Sequence, residues 1–412
     1  MLLSSALATI LLEAQTVKVL FDASQAEMAA NADWVIDADL YNLGTNSSGL
    51  MVTGSGSEAN PARFPTPAQG GITSTTAQTF WKGALSYWAI DLVRQGYLVE
   101  TLPFNGLITY GVSTNSQDLT NYKVFIVCEP NIRFSTSERT AIRTFVQNGG
   151  GLFMIANHNG SDRNNDGWDP ESIWNDLMSG NPYGITFDAT SFSQSSTNIR
   201  NAPNDPILNG PMGSVTGMVY NSGTSMTLNP AANSNVLGLV FRTGASNTGN
   251  TQVLMAASRQ GLGKVCAIGD SSPPDDGSGD TNDALYSSYS TDLGGSHRKL
   301  LVNATRWLAT PGTTQVTTGS THAPVTPAAT LGMDLYPNPA SDHVNVRFAN
   351  SADEAVRVEL LDATGQQLQG RMIPAAAGIN VVPVDLAGLC PGIYVVRVSN
   401  GSETYAERFL HR

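Results

Sequence analysis

Basic residues are scarce in this chain: Lys and Arg number 22 against 34 Asp and Glu, a formal net charge of -12 with a pI near 4.8. Binding to a nucleic-acid backbone or an anionic membrane needs clustered cations, so no nucleic-acid partner is expected. Charge of either sign is thin, at 14% of residues, while apolar residues reach 41%, with 40 Gly and 21 Pro. Such a composition excludes a disordered tail protein and a coiled coil and leaves ample material for a core. The three cysteines, Cys128, Cys266 and Cys390, form no CxxC pair. Neither a zinc knuckle nor a disulfide framework follows, and Cys128 and Cys266, inside apolar runs, are expected to be buried small hydrophobes. No apolar run reaches the roughly 18 residues that a membrane span needs.

At 412 residues the chain has room for two or three domains. Residues 1–14 open with the short apolar stretch LLSSALATILL. It is too short to cross a bilayer and stands where an export signal would. Residues 311–330 are Thr, Pro, Gly and Ala rich without a charge, the composition of an extended linker. Beyond it, residues 331–412 alternate in period two, as in Val344, Val346 and Phe348 or Tyr394, Val396 and Val398. Turn signals such as Pro391-Gly392 separate these runs, which predicts a small all-β, immunoglobulin-like sandwich.

The ordered motifs Tyr336-Pro337-Asn338-Pro339, Asp362-x-x-Gly365 and Leu389-x-x-Gly392-x-Tyr394, closing on ERFLHR, carry more than a strand pattern. This segment resembles the C-terminal sorting domain of the type IX secretion system of Bacteroidetes. The resemblance implies that residues 331–412 engage the type IX machinery. It also implies that the protein is secreted or held at the outer cell surface, and it is silent on the cargo.

The cargo, residues 15–310, alternates short apolar runs with helical patterns, which predicts an α/β fold with a mostly parallel sheet. Strands are expected at Val17–Phe21, Tyr97–Leu102, Val124–Cys128, Leu152–Ala156, Val236–Phe241, Val253–Ala257 and Val265–Ile268. Helices are expected over Ala77–Gln95, over Ser135–Asn148, where Ser135 and Glu138 make a capping box, and over Arg298–Leu308. Polar residues stand directly after four of the apolar runs: Asp22, Glu129, Asn157-His158 and Asp270. Parallel strands share one carboxyl edge, and ligands bind there, so these residues are expected to converge on one crevice.

Of the five histidines only His158 and His297 fall in the cargo. Glu129, His158, Asp270 and His297 are therefore the candidate catalytic residues. A divalent cation held by Asp22, Glu129, His158 and Asp270 would lower the pKa of bound water, with zinc, manganese or calcium all compatible with such ligands. Asp162-x-Asn164-x-Asp166-Gly167 matches the first half of a calcium loop, although Ile173 stands where its terminal Glu would. A second loop, Asp275 to Asp283, repeats the two-residue spacing. The Gly, Ser, Thr and Pro rich segment 43–76 reads as a lid or substrate loop. Trp34, Trp81, Trp88, Trp168 and Trp174 offer sugar-stacking platforms or core.

The order of strands and the phrase GGGLFMIANHNG are similar to the class I glutamine amidotransferase-like superfamily. That resemblance implies a flavodoxin-like, doubly wound sheet. The stretch aligned with the G-x-C-x-G nucleophile elbow is Ala156-Asn157-His158-Asn159-Gly160, which has no cysteine. Thiolate chemistry and glutamine amide transfer are thereby excluded. The expectation is a metal-assisted hydrolase acting on an extracellular small molecule or polymer. The alternative is a non-catalytic, calcium-stabilised ligand-binding or surface protein.

Overall fold

The computed structural model describes residues 17–37, 44–45, 51–52, 69–279, 283–310, 333–336, 340–350, 354–362, 366–376, 378–399 and 404–412. The expected export signal, the linker and most of the segment 43–76 lie outside the described residues. The chain divides into two compact units, Met1–Thr313 and Thr314–Arg412.

Uninterrupted apolar runs build the centre of the first unit. β1 (Lys18–Asp22), β2 (Leu98–Leu102), β3 (Val124–Cys128) and β4 (Gly151–Ile155) are almost wholly buried. Burial on both faces is what a parallel strand between helical layers demands. Two short strands follow, β5 (Ile185–Phe187) and β6 (Phe192–Ser196). After them come β7 (Met218–Gly223), β8 (Met226–Leu228), β9 (Leu237–Phe241), β10 (Val253–Gln260) and β11 (Gly263–Ile268). The main sheet runs β2-β1-β3-β4-β11-β10-β8-β5, with β9 on β10. From β2 to β11 every pairing is parallel, in the flavodoxin-like order, and from β10 outward the pairings are antiparallel. The expected strands at Val236–Phe241 and Val253–Ala257 exist, and they form this antiparallel extension.

Alternate residues of each central strand serve opposite faces. Phe21, Ile126 and Phe153 pack with α1 (Ser86–Arg94) and α4 (Ser296–Ala309) through Trp88 and Leu301. Leu20, Phe125 and Leu152 pack with α2 (Thr136–Gln147) and α3 (Pro170–Leu177) through Phe145 and Trp174. The Ser135–Glu138 capping box starts α2 as the sequence predicts. The helix expected from Ala77 begins only at Ser86, because the preceding N–H groups are used elsewhere. Lys82 N–H donates to Asp37, Ala84 N–H to the Asp33 carbonyl and Leu85 N–H to the Val35 carbonyl. Gly83 lies so close that a Cβ there would meet the Val35 carbonyl oxygen at 2.3 Å.

In the second unit, β12 (Met333–Tyr336), β13 (His343–Asn350) and β16 (Gly378–Asp385) form a three-stranded antiparallel sheet. β14 (Glu354–Asp362), β15 (Gln367–Ala375), β17 (Gly392–Ser399) and β18 (Thr404–His411) form a four-stranded one. Val344, Val346, Val358, Leu360, Val396 and Phe409 fill the core between the two sheets. Among the described residues no helix is long and apolar enough to cross a membrane.

Candidate functional site

Parallel pairing of β1, β3, β4 and β11 brings Asp22, Glu129, Asn157 and Asp270 to one edge of the sheet. Glu129 is its centre. The residue is fully buried, and its backbone is left-handed at φ +55°, a conformation costly for a residue with a side chain. Its own N–H donates to the Ile155 carbonyl at 2.9 Å, and its carbonyl accepts from Asn131 Nδ2 at 2.8 Å. Arg163 Nε donates to Glu129 Oε1 as an ion pair, and Asn157 Nδ2 donates to Oε2 at 2.9 Å. Arg163 is held in turn by Asn31 Oδ1, and its N–H donates to Asn131 Oδ1.

Asp270 is buried beside this pair. Oδ1 accepts from Ser272 N–H at 2.8 Å, while Oδ2 accepts from Asn221 N–H at 2.5 Å and Ser272 Oγ at 2.8 Å. Burial pushes its pKa up to about 8 against these hydrogen bonds, with the charge of Glu129 adding to the rise. Gly269 sets its place, since a Cβ there would lie 2.0 Å from the Thr224 carbonyl oxygen. The partly exposed Tyr286 ring stands in the field of Asp270, Arg163 and Glu129, and burial raises its phenol.

Asp22 is buried at the end of β1 and is raised by burial to about 6. It faces Glu27 rather than Glu129, and burial followed by the Asp22 charge drives the Glu27 pKa well up. His158 is half-buried and turned into its own loop, with Nδ1 2.8 Å from the Asn159 carbonyl oxygen, so its neighbour Asn157 is the residue that reaches Glu129. His297 is fully buried at the start of α4. Its Nε2 accepts from Val219 N–H at 2.9 Å and its Nδ1 lies 3.0 Å from Asp292 Oδ1, so it fastens β7 to the helix instead of folding over the edge.

The edge therefore gathers Glu129, Asn157, Asp270 and Arg163, with Asp22 on the adjoining turn. Among the described residues no three His, Cys, Asp or Glu side chains come together as a metal-ligand group, so Asp22, Glu129, His158 and Asp270 do not form one donor set. In the calcium-like loop the side chains cap their own backbone. Asp162 accepts from Asp166 and Gly167 N–H, Asn164 Oδ1 from Asp166 N–H and Asp166 Oδ1 from Trp168 N–H. In the second loop Asp275 accepts from Gly277 and Tyr286 N–H, each at 2.8 Å. Asp276 there accepts from Ser278 and Tyr87 N–H. Burial raises both acids to about 7, and Asp280 and Asn282 lie outside the described residues. Cys128 and Cys266 are free and buried. Trp34, Trp81, Trp88 and Trp174 are core, whereas half-buried Trp168 carries the Arg133 guanidinium 3.7 Å from its ring centre.

Sequence reasoning missed Arg163 and the Asp22–Glu27 contact. The signal for Arg163 was a lone cation inside the acidic run Ser161 to Asp166.

Residues 334–412 match the family described as the secretion system C-terminal sorting domain. This type IX sorting tail makes the chain a secreted or outer-surface protein that engages the type IX machinery. No curated protein matches the chain. Among solved structures, the mmIFT52 N-terminal domain is 16% identical, covering 55% of this chain and 90% of that one at a TM-score of 0.37. A ThuA-like protein from Parabacteroides merdae is 11% identical, covering 73% and 93% at a TM-score of 0.33. Dimeric latent PorU from Porphyromonas gingivalis is 19% identical over 19% of this chain and 9% of its own, at a TM-score of 0.17.

Proposed function

We propose that the exported unit is a hydrolase of an extracellular small molecule or polymer whose chemistry is carried by carboxyl groups at the sheet edge. The observation that supports this reading is Glu129: a buried acid in left-handed backbone, at the switch point between β1 and β3, with its carboxylate oriented by Arg163 and Asn157. Backbone strain of this kind collects at functional positions. Asp270, with a pKa near 8, holds a proton at neutral pH and is the acid partner. Two acids in different environments can divide acid and base roles. With the expected metal ligands not gathered into one set, no step is assigned to a bound ion at Glu129.

The second reading, a non-catalytic ligand-binding protein, is favoured by a different observation. The carboxyl groups of Glu129 and Asp270 are buried and already spend their oxygens on protein donors.

The test is turnover of an ester, amide and glycoside panel by the full chain, alongside Glu129→Gln and His158→Ala. Lost turnover in Glu129→Gln, with unchanged melting in the half-exposed His158→Ala variant, supports the hydrolase. Binding without turnover by the native chain supports the second reading.

A further inference from the structure

After β1 the chain turns through residues 22–27 and buries Asp22, Ser24, Gln25 and Glu27, the last of them completely. Ala26 stands at φ +61°, and the coiled turn brings the Asp22 and Glu27 carboxyl groups face to face. One side of each acid is satisfied. Asp22 Oδ1 accepts from Ser24 N–H at 3.0 Å and Ser24 Oγ at 2.7 Å, and Glu27 Oε2 accepts from Gln25 N–H at 2.8 Å. The Gln25 amide leans on the same Ser24 hydroxyl through Nε2 at 3.4 Å. The Gln25 backbone carbonyl is used by the N–H groups of Asn131 and Ile132. Apart from the contact that the Asp22 and Glu27 carboxyl groups make with each other, Asp22 Oδ2, Glu27 Oε1 and Gln25 Oε1 are then three buried oxygens of one turn without a hydrogen-bond donor.

Buried acceptors left without donors are rare and call for an ion or a proton. The arginine of this edge, Arg163, is committed to Glu129 and Asn31. We propose that the turn 22–27 binds a hard divalent cation, Ca²⁺ or Mg²⁺, through Asp22 Oδ2, Gln25 Oε1 and Glu27 Oε1. Two anionic oxygens and one neutral oxygen, with no imidazole or thiolate, suit such ions and leave coordination positions for water. The ion ties the end of β1 to the following turn, beside Glu129 and separate from the loop 162–167. This assignment goes beyond the reaction assigned to the edge and stands or falls on its own.

The full chain, stripped with chelator, is titrated calorimetrically with CaCl₂ and separately with MgCl₂. One site is expected, together with a higher melting temperature in the metal. Asp22→Asn and Glu27→Gln should each weaken binding about tenfold or more and abolish the melting response, while Asp162→Asn with Asp166→Asn preserves both. Since the turn variants risk misfolding, Tb³⁺ emission from the unaltered turn supplies a second readout. Trp34 N–H donates to the Glu27 carbonyl, so excitation through Trp34 should sensitise Tb³⁺, and Ca²⁺ should displace it. The proposal is overturned by binding that survives Glu27→Gln and disappears in the 162/166 variant. It is equally overturned if the chain takes up no metal and its melting temperature responds to pH alone, which assigns the contact to a shared proton.

Discussion

The Glu129 carboxylate and the Arg163 guanidinium form an ion pair in which the acid has no solvent exposure and the arginine side chain keeps 15% of its own. Removing the cation leaves a buried charge without a counter-ion, whereas removing both groups does not. Arg163→Met should therefore cost about 3–5 kcal/mol, and the double variant Arg163→Met with Glu129→Gln should recover part of it. Urea titration of the two single variants and the double variant checks this. Additive losses would show that the pair is not coupled.

Stability should fall as the solution is made alkaline. Burial raises Asp270 to about 8 and Asp275 and Asp276 to about 7, above their ordinary value of 3.8. The folded chain thus holds protons that the unfolded chain has already released. Their contribution is complete below about pH 4 and is lost as pH rises through 7 and 8. Asp118 works in the opposite sense: burial would raise it, but hydrogen bonds from Thr109, Thr120 and Val112 outweigh that and lower it to about 2, so its contribution is lost in strong acid. Melting temperatures measured across this range should be higher at pH 5 than at pH 8. A flat or rising profile would contradict the assignment.

Lys264 lies under the end of α4, where its Nζ donates to the Trp307 carbonyl at 2.9 Å, the Thr310 carbonyl at 2.9 Å and Thr310 Oγ1 at 2.6 Å. A cation at a helix C-terminus is favourable, and here it reinforces the Trp307 carbonyl, which also accepts from Thr310 N–H and Oγ1, and supplies a donor to the Thr310 carbonyl. Lys264→Met keeps the packing and removes those donors, at an expected cost of about 2 kcal/mol. Amide exchange should then accelerate over residues 305–310 and remain unchanged in α2.

Gly269→Ala tests how Asp270 is held. A methyl group has no room against the Thr224 carbonyl oxygen, so either β11 or the segment around Thr224 must shift, at about 2 kcal/mol or more. Denaturant midpoints measure the cost. An unchanged midpoint would mean that the edge is more yielding than its contacts imply.

Much of this edge is legible in sequence because it follows from local facts. A run such as VFIVC reads as a doubly covered strand, and the acid that ends such a run must stand at the carboxyl edge. The capping box of α2 is legible for the same reason. What stays hidden is decided by distant segments. The stretch from Ala77 to Leu85 has helical spacing, yet the N–H groups of Lys82, Ala84 and Leu85 serve residues 33–37. His297 reads in sequence as a candidate catalytic residue, and only its bond to Val219 of β7 shows it as a buried fastener at the start of α4. Arg163 stands 34 residues beyond its partner Glu129, and no periodicity links the two.

The position of β11 has a consequence in time. It sits at the centre of the sheet, with Gly151 of β4 paired to Lys264, yet the whole stretch 156–262 is synthesised between them. A pairing so remote in sequence closes slowly, since the entropy of the intervening loop is paid before the contact is gained. An emerging chain therefore carries β1 to β4 for a long interval without the strand that completes them, and without Asp270.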